Sequence, residues 1–500
     1  MGSKRKRIIF IIFASSFLLF FRLGKLALMD LDESRYGEAA REMLILHNYI
    51  IPHLNFEPRI NKPILFYWMI VLCYRLLGIS EFSARLPSAV SGFCLIVFLY
   101  LFTSQQLEEK LAFISSLVLL SSPMFVIISR LAIIDALYCS LVFISLCLFW
   151  YYFQNEKFKI LTFFFLGLSI ETKGPAGLCI IFLTILGFSI VERKIYYLKK
   201  FFNPWGILIF LIVGFWWYII LGFKIGWAQF KQLAITETVG RFKSGFVHAE
   251  PFYYFLPVIF AGFLPWIVYL FKLRLKIIKE NPFLRYIFCY LILGFIFFSV
   301  SKTKLPTYIF PLLPGLAILV SYPIRELWER ENKLIMIIGV IILISGIIIF
   351  KWYPQLEWVI SVQDIKEIAL VFVISGLIFL IATRLKFKNQ FILLFILLPF
   401  LYFYFLLRFG DDYSNYRSTR DLFIEQHIPP SENIYTLGFF KPSIPFYSGC
   451  RVIVVDNIYK AGKFVVMRNE DCGKYGKKIP FVIHSRTKKY SLVELQKLQY

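Results

Sequence analysis

Ionisable residues stand out where this sequence is otherwise apolar. The densest set is Asp32-Glu33-Ser34-Arg35-Tyr36, two acids followed closely by a cation and a phenol. Asp135 ends Arg130-Leu131-Ala132-Ile133-Ile134-Asp135, and Lys173 lies in Glu171-Thr172-Lys173-Gly174-Pro175, each between two apolar runs. Lys62 sits in Asn61-Lys62-Pro63, Arg241 in Gly240-Arg241-Phe242-Lys243, and Tyr308 closes Lys304-Leu305-Pro306-Thr307-Tyr308. Carboxylates of this kind can move protons or balance developing charge, while Lys and Arg can hold a phosphate. The combination suits an anionic amphiphile whose phosphate is gripped by cations while its hydrocarbon tail stays in a bilayer. These residues reach as far as a lipid-linked phosphate and acid–base chemistry upon it, and do not specify the reaction.

Each residue also has a structural alternative. Asp32 and Glu33 open a stretch of helical character through Ala40, Met43, Leu44 and His47, where acids favour the positive end of the helix dipole. A lone lysine at a helix end commonly snorkels to the interface. Asp135 is harder to dismiss, because a carboxylate at membrane depth is costly and faces a partner or a cavity.

The elements that must position these residues follow from composition. Apolar types make up 59% of the 500 residues and charged types 17%, against roughly 25% charged in a soluble protein. Mean hydropathy is +0.69. The apolar runs are continuous rather than alternating, which excludes a β-barrel and predicts an all-α polytopic membrane protein. The net charge of +24 resides largely in short clusters between apolar runs. Topology and anionic lipid account for it, and nucleic-acid binding is excluded. Of the eight cysteines only Cys450 and Cys472 lie in a polar region, where a disulfide could form outside the cytosol.

Lys4-Arg5-Lys6-Arg7 before the apolar residues 8–28 predicts an uncleaved first span with a cytoplasmic N-terminus. The loops at 193–200, 272–279 and 384–388 are basic, and all become cytoplasmic only if the apolar run 63–79 does not cross. That run is therefore read as a juxtamembrane helix. Spans follow at 86–103, 111–128, 137–153, 158–172, 175–191, 205–222, 252–271, 284–300, 305–322, 334–350, 367–383 and 390–408, giving about thirteen transmembrane helices with the first. An odd number leaves the C-terminus outside. The expected organisation is a transmembrane domain over 1–408, with a first external loop at 29–85, and an external α/β domain over 409–500. The latter holds short β-type runs at 434–440, 451–456, 464–467 and 479–484 and a helical tail at 492–500. Asp32, Asp135, Lys62, Lys173, Arg241 and Tyr308 all fall on the external side.

The string Asp32-Glu33-Ser34-Arg35-Tyr36 with Ala40-Arg41-Glu42-Met43 resembles the first-loop signature of GT-C glycosyltransferases, among them protein O-mannosyltransferases and the bacterial aminoarabinose transferases that modify lipid A. Ile51-Pro52-His53-Leu54, Lys62-Pro63, Tyr67-Trp68, Thr172-Lys173-Gly174, Phe252-Tyr253-Tyr254, Leu264-Pro265-Trp266 and Lys304-Leu305-Pro306-Thr307-Tyr308 resemble the latter in family order, from residue 29 to residue 315. The C-terminal part carries no matching motif.

The resemblance implies a membrane transferase that takes a sugar from a polyprenyl carrier such as undecaprenyl phosphate, on the periplasmic face of a bacterial inner membrane, and passes it with inversion to lipid A or another envelope acceptor. By resemblance Asp32 matches the catalytic carboxylate and Asp135 a second acidic position, with Glu33 alongside. Lys62, Arg241 and Tyr308 match residues that hold the carrier phosphate, Lys173 another cation of that cavity, and Arg35 and Tyr36 flank the catalytic position. Asn61 departs from the family, which has a zinc-linked glutamate there; His248 is left as a lone second candidate. The expectation is no tightly bound cofactor or zinc, the lipid-linked sugar being a substrate, with any divalent-metal requirement left open. A transfer to protein or another glycan is the alternative within the class. A lipid transporter or flippase is the alternative outside it, and would place polar residues mid-span instead of at one end.

Overall fold

The computed structural model describes residues 2–240, 250–328, 334–351, 362–426, 428–476 and 478–496. In lipid a helix satisfies every backbone polar group within one segment, so the long apolar runs become helices. Among the described residues seven helices are long and apolar enough to cross a bilayer, from Glu81–Gln106 to Phe387–Arg408. Two bent pairs bring the number to nine: Glu109–Leu120 with Pro123–Ser129, at 66°, and Phe252–Gly262 with Trp266–Lys272, at 108°. Both breaks coincide with prolines, Pro123 and Pro265, which lack the backbone donor that a continuous helix needs. The thirteen expected spans additionally count Gly2–Phe20, Lys159–Lys173, Ala176–Glu192 and Leu334–Lys351.

Leu65–Leu77 has 13 residues, about 20 Å of helix against a hydrocarbon core of about 30 Å. It buries Phe66, Tyr67, Ile70 and Tyr74 and exposes Leu72, Leu76 and Leu77. The helix thus has one buried side and one apolar exposed side.

The first loop folds as the helix Asp32–Ile45 and a two-residue hairpin, His53–Leu54 against Glu57–Pro58. The turn residues Asn55 and Phe56 both take positive φ, 60° and 65°. Asparagine tolerates that region; the aromatic Phe56 is unusual there. Asp32–Ile45 is buried from Glu33 to Met43 apart from Arg35, because it packs against Leu65–Leu77, the hairpin and a short C-terminal helix, Ser443–Ser448.

The small C-terminal sheet domain has five strands in the order Arg451–Val455, Asn433–Leu437, Phe464–Arg468, Tyr490–Leu495, Phe481–Arg486. The first three are mutually parallel and the last two join antiparallel. One expectation fails here, and one possibility is not realised. Residues 492–495 extend a strand instead of opening a helical tail, since Leu492 and Val493 are buried in the sheet's cores. Cys450 and Cys472 are both free thiols, because they belong to separate apolar clusters.

Candidate active site at the helix ends

Asp135 is the first residue of the helix Asp135–Gln154, and Lys173 the last of Lys159–Lys173. The two helices pack side by side, which brings Asp135 Oδ1 within 2.5 Å of Lys173 Nζ, both side chains nearly buried. The same ammonium lies 4.7 Å from the centre of the Tyr308 ring and 5.5 Å from that of Tyr138. Tyr308 stands in a short 3₁₀ segment, Pro306–Leu312, that enters the next span. Three residues from distant stretches of chain, each singled out in the sequence, thus share one cluster.

The first loop supplies the second half of the site. Asp32 is 69% exposed at the start of its helix, with Arg35 Nη1 at 3.5 Å. Tyr36, one turn further, is buried with its ring 5.2 Å from Phe66 and 5.4 Å from Tyr67. Burial holds its phenol well above the ordinary tyrosine range; Tyr67 and the negative charges of Asp135 and Asp32 add to this, and Arg59 opposes it. The Tyr36 hydroxyl therefore stays a proton donor, in a field to which both candidate carboxylates contribute.

Arg59 escaped the sequence reading. Its Nε donates to the Tyr67 hydroxyl at 3.1 Å, and its guanidinium carbon lies 5.9 Å from the Tyr36 ring centre. It also feels the charge of Asp32. None of the ion pairs among the described residues includes Arg59, so the rest of its fork can accept an anion. The signal was its position three residues before Lys62. Lys62 is half-buried in the bend that leads into Leu65–Leu77.

Glu33 is a correction. Expected among the catalytic acids, it is buried and fully engaged. Its Oε1 accepts from Arg85 Nε and from the Ala132 amide, both at 2.8 Å, and its Oε2 accepts from Arg85 Nη2 at 2.9 Å and the Met29 amide at 3.1 Å. Arg85 also donates to the carbonyls of Leu23, Leu26 and Ala27. Glu33 joins the first loop to the membrane helices, and no oxygen of it is left for chemistry.

Arg241 and His248 lie outside the described residues. Among the described residues no group of three or more His, Cys, Asp or Glu side chains could hold a metal ion. The Asn61 Oδ1 is buried without a hydrogen-bond partner, and an amide oxygen is a poorer zinc ligand than a carboxylate. Lys304 is buried, with Nζ donating to the Glu250 carbonyl at 2.8 Å and the Ser301 carbonyl at 2.5 Å. Together with Lys302 it borders an open cleft of about 550 Å³ whose other walls are Glu250, Pro251, Phe252, Ser299 and Val300.

A polytopic helical bundle with ionisable groups at its helix ends and a small sheet domain has the fold of the GT-C membrane glycosyltransferases. A model of the dolichyl-phosphate-mannose-protein mannosyltransferase family matches residues 61–228. An uncharacterised protein of Aquifex aeolicus is 32% identical over 363 residues, covering 69% of this chain and 80% of that one. An undecaprenyl phosphate-alpha-4-amino-4-deoxy-L-arabinose arabinosyl transferase of Proteus mirabilis is 26% identical over 361 residues, covering 69% of this chain and 65% of the enzyme. The crystal structure of ArnT from Cupriavidus metallidurans bound to undecaprenyl phosphate superimposes with a TM-score of 0.85 at 20% identity, over 97% of each chain. The fold is that of ArnT.

Proposed function

We propose that this protein transfers a sugar from undecaprenyl phosphate to lipid A at the outer face of the inner membrane. The observation that supports the reading is the nearly buried Asp135–Lys173 pair beside Tyr308, together with the exposed Asp32 at the start of the first-loop helix. An acceptor oxygen attacks the anomeric carbon as the bond from that carbon to the carrier phosphate oxygen breaks, with inversion. The bonding pair leaves with undecaprenyl phosphate. Lys173, Lys62, Arg241, Arg59 and the Tyr308 hydroxyl receive that phosphate and stabilise its charge. Asp32 takes the proton when the acceptor is a hydroxyl, and orients the donor sugar when the acceptor is already an anionic phosphate. Asp135 directs Lys173 through their ion pair. Arg35 and Tyr36 hold the surroundings of Asp32. Named relatives that use the 4-amino-4-deoxy-L-arabinose carrier support that sugar as the first donor to test.

The site then faces the periplasm, with the N-terminus cytoplasmic and the C-terminal domain outside. The basic Lys4–Arg7 segment and the basic loops at 193–200, 272–279 and 384–388 support this orientation. A cysteine probe placed at 104–110 should be unreactive from outside intact cells; labelling there overturns the placement of Leu65–Leu77 on the external surface.

The family model for protein mannosyltransferases favours a second reading, with protein as the acceptor. Mass spectrometry of lipid A and of envelope proteins from a deletion strain, with and without the restored gene, separates the two. Loss of a sugar from lipid A is expected. Unchanged lipid A with a missing protein glycan selects the second.

A further inference from the structure

Three acids stand within three positions of one another at the entry of the first-loop helix, and they have three fates. Asp32 is exposed. Glu33 is tied to the membrane helices through Arg85. Asp30 is tied to the opposite body, the C-terminal sheet domain. Its Oδ2 accepts from Ser443 Oγ at 2.6 Å and lies 3.2 Å from Lys441 Nζ. Its Oδ1 accepts from the Ser443 amide at 3.0 Å and from Ser34 Oγ at 2.7 Å. Around the same residue the backbone is paired reciprocally: the Asp30 amide donates to the Arg417 carbonyl, and Arg417 Nη2 to the Asp30 carbonyl, both at 2.9 Å.

This arrangement is costly unless it is needed. Asp30 is 5% exposed, and a buried carboxylate is tolerated only with its oxygens fully paired. A link that merely attached the sheet domain could use apolar contact, as Phe446 against Gly37 already does. Asp30 instead reaches across the helix entry to Ser34, so that the carboxylate fixes the turn from 30 to 34 in which Asp32 is carried. The helix has no side-chain cap on its Leu31, which leaves the direction of Asp32 to the two clamps on either side of it.

We propose that Asp30, held by Lys441 and Ser443, is a positioning residue that sets the direction of Asp32 toward the reacting centre, so the C-terminal sheet domain contributes to turnover. This rests on the reading of Asp32 as the catalytic carboxylate. Asp30 acts on the rate through geometry, and the carrier phosphate is held by other residues.

The test uses the full-length chain in lipid with an undecaprenyl-phosphate-linked sugar. Ser443→Ala should lower kcat about tenfold, as expected when a reacting group loses its alignment. Affinity for undecaprenyl phosphate should stay within about twofold, and the unfolding midpoint within a few degrees. Ser443→Thr, which keeps the hydroxyl, should restore kcat to within about twofold. Lys441→Met should give a loss in the same direction and Asp30→Asn the largest one; Ser443→Ala decides the matter if Asp30→Asn does not fold. An unchanged kcat in Ser443→Ala overturns the proposal, and so does a loss of kcat matched by an equal loss of carrier affinity and of stability. Full activity in Asp32→Asn removes the parent reading instead, which keeps the two failures distinct.

Discussion

Lys173 Nζ lies 2.5 Å from Asp135 Oδ1 although the two residues are 38 positions apart and belong to different helices. The pair is nearly buried, so removing one partner leaves an uncompensated charge. Lys173→Met should destabilise the protein by about 3–5 kcal/mol and abolish transfer. The double variant Asp135→Asn, Lys173→Met should recover much of the stability and none of the activity. Denaturation midpoints and transfer rates on the same preparations check both statements. Recovered activity in the double variant would confine the pair to a structural role.

Asp32 and Glu33 should separate cleanly under mutation. Asp32→Asn is expected to leave folding and carrier binding intact while transfer falls by a factor of 100 or more, in the range of a lost general base. Glu33→Ala, by contrast, strands Arg85 among the Leu23, Leu26 and Ala27 carbonyls. Its signature should be loss of folded protein from the membrane, with kcat also lowered in whatever fraction remains, since one of the two clamps beside Asp32 is gone.

Arg59 predicts an effect on the carrier. With Nε committed to Tyr67, the outer nitrogens are directed by a fixed planar fork. Arg59→Ala should weaken undecaprenyl phosphate binding about tenfold. Arg59→Lys should recover only part of it, because an ammonium cannot hold Tyr67 and a phosphate together. Equal affinities in the three proteins would remove Arg59 from the site.

Glu42 gives a pH dependence. Burial and the adjacent Glu38 push its carboxyl up to about 8, and its Oε2 accepts from the Phe56 amide at 2.8 Å. The folded state therefore holds this proton more tightly than the unfolded chain does. Stability unaffected by Glu42 below pH of about 4.5 should fall as pH rises and level off above about 8. Glu42→Gln keeps the acceptor and removes the titration. It should flatten the profile and stabilise the protein by roughly 1–3 kcal/mol at pH 9, read from unfolding midpoints between pH 6 and 9. Parallel profiles for the two proteins would show that Glu42 is not the group responsible.

How much of this was legible in the sequence depended on how far each residue's partner lay. Asp135 announced itself, because a carboxylate between apolar runs demands a partner, whereas Lys173 and Tyr308 drew their roles from the family resemblance; the structure joins the three. Asp30, Asp32 and Glu33 could not be told apart locally. Arg85 is 52 positions from Glu33 and Ser443 is 413 from Asp30, and such partners leave no trace in the spacing of three adjacent acids. The helical reading of 492–495 failed for the same reason, since pairing with Phe464–Arg468 on one side and Phe481–Arg486 on the other makes 490–495 a strand. Arg59 was overlooked because one arginine after a hairpin looks like ordinary surface until Tyr36 and Tyr67 are seen beside it.

The tip of the first-loop hairpin has a consequence for solubility. Asn55 Nδ2 donates to the Val452 carbonyl at 2.8 Å, and the Val452 amide donates back to Asn55 Oδ1 at 2.7 Å. A single side-chain amide thus imitates a neighbouring strand and occupies the margin of the sheet at Arg451–Val455. Chains that stack margin to margin need such a row of unpaired groups. Here that row is broken, and recruitment of a foreign strand is left with the opposite rim, Phe481–Arg486.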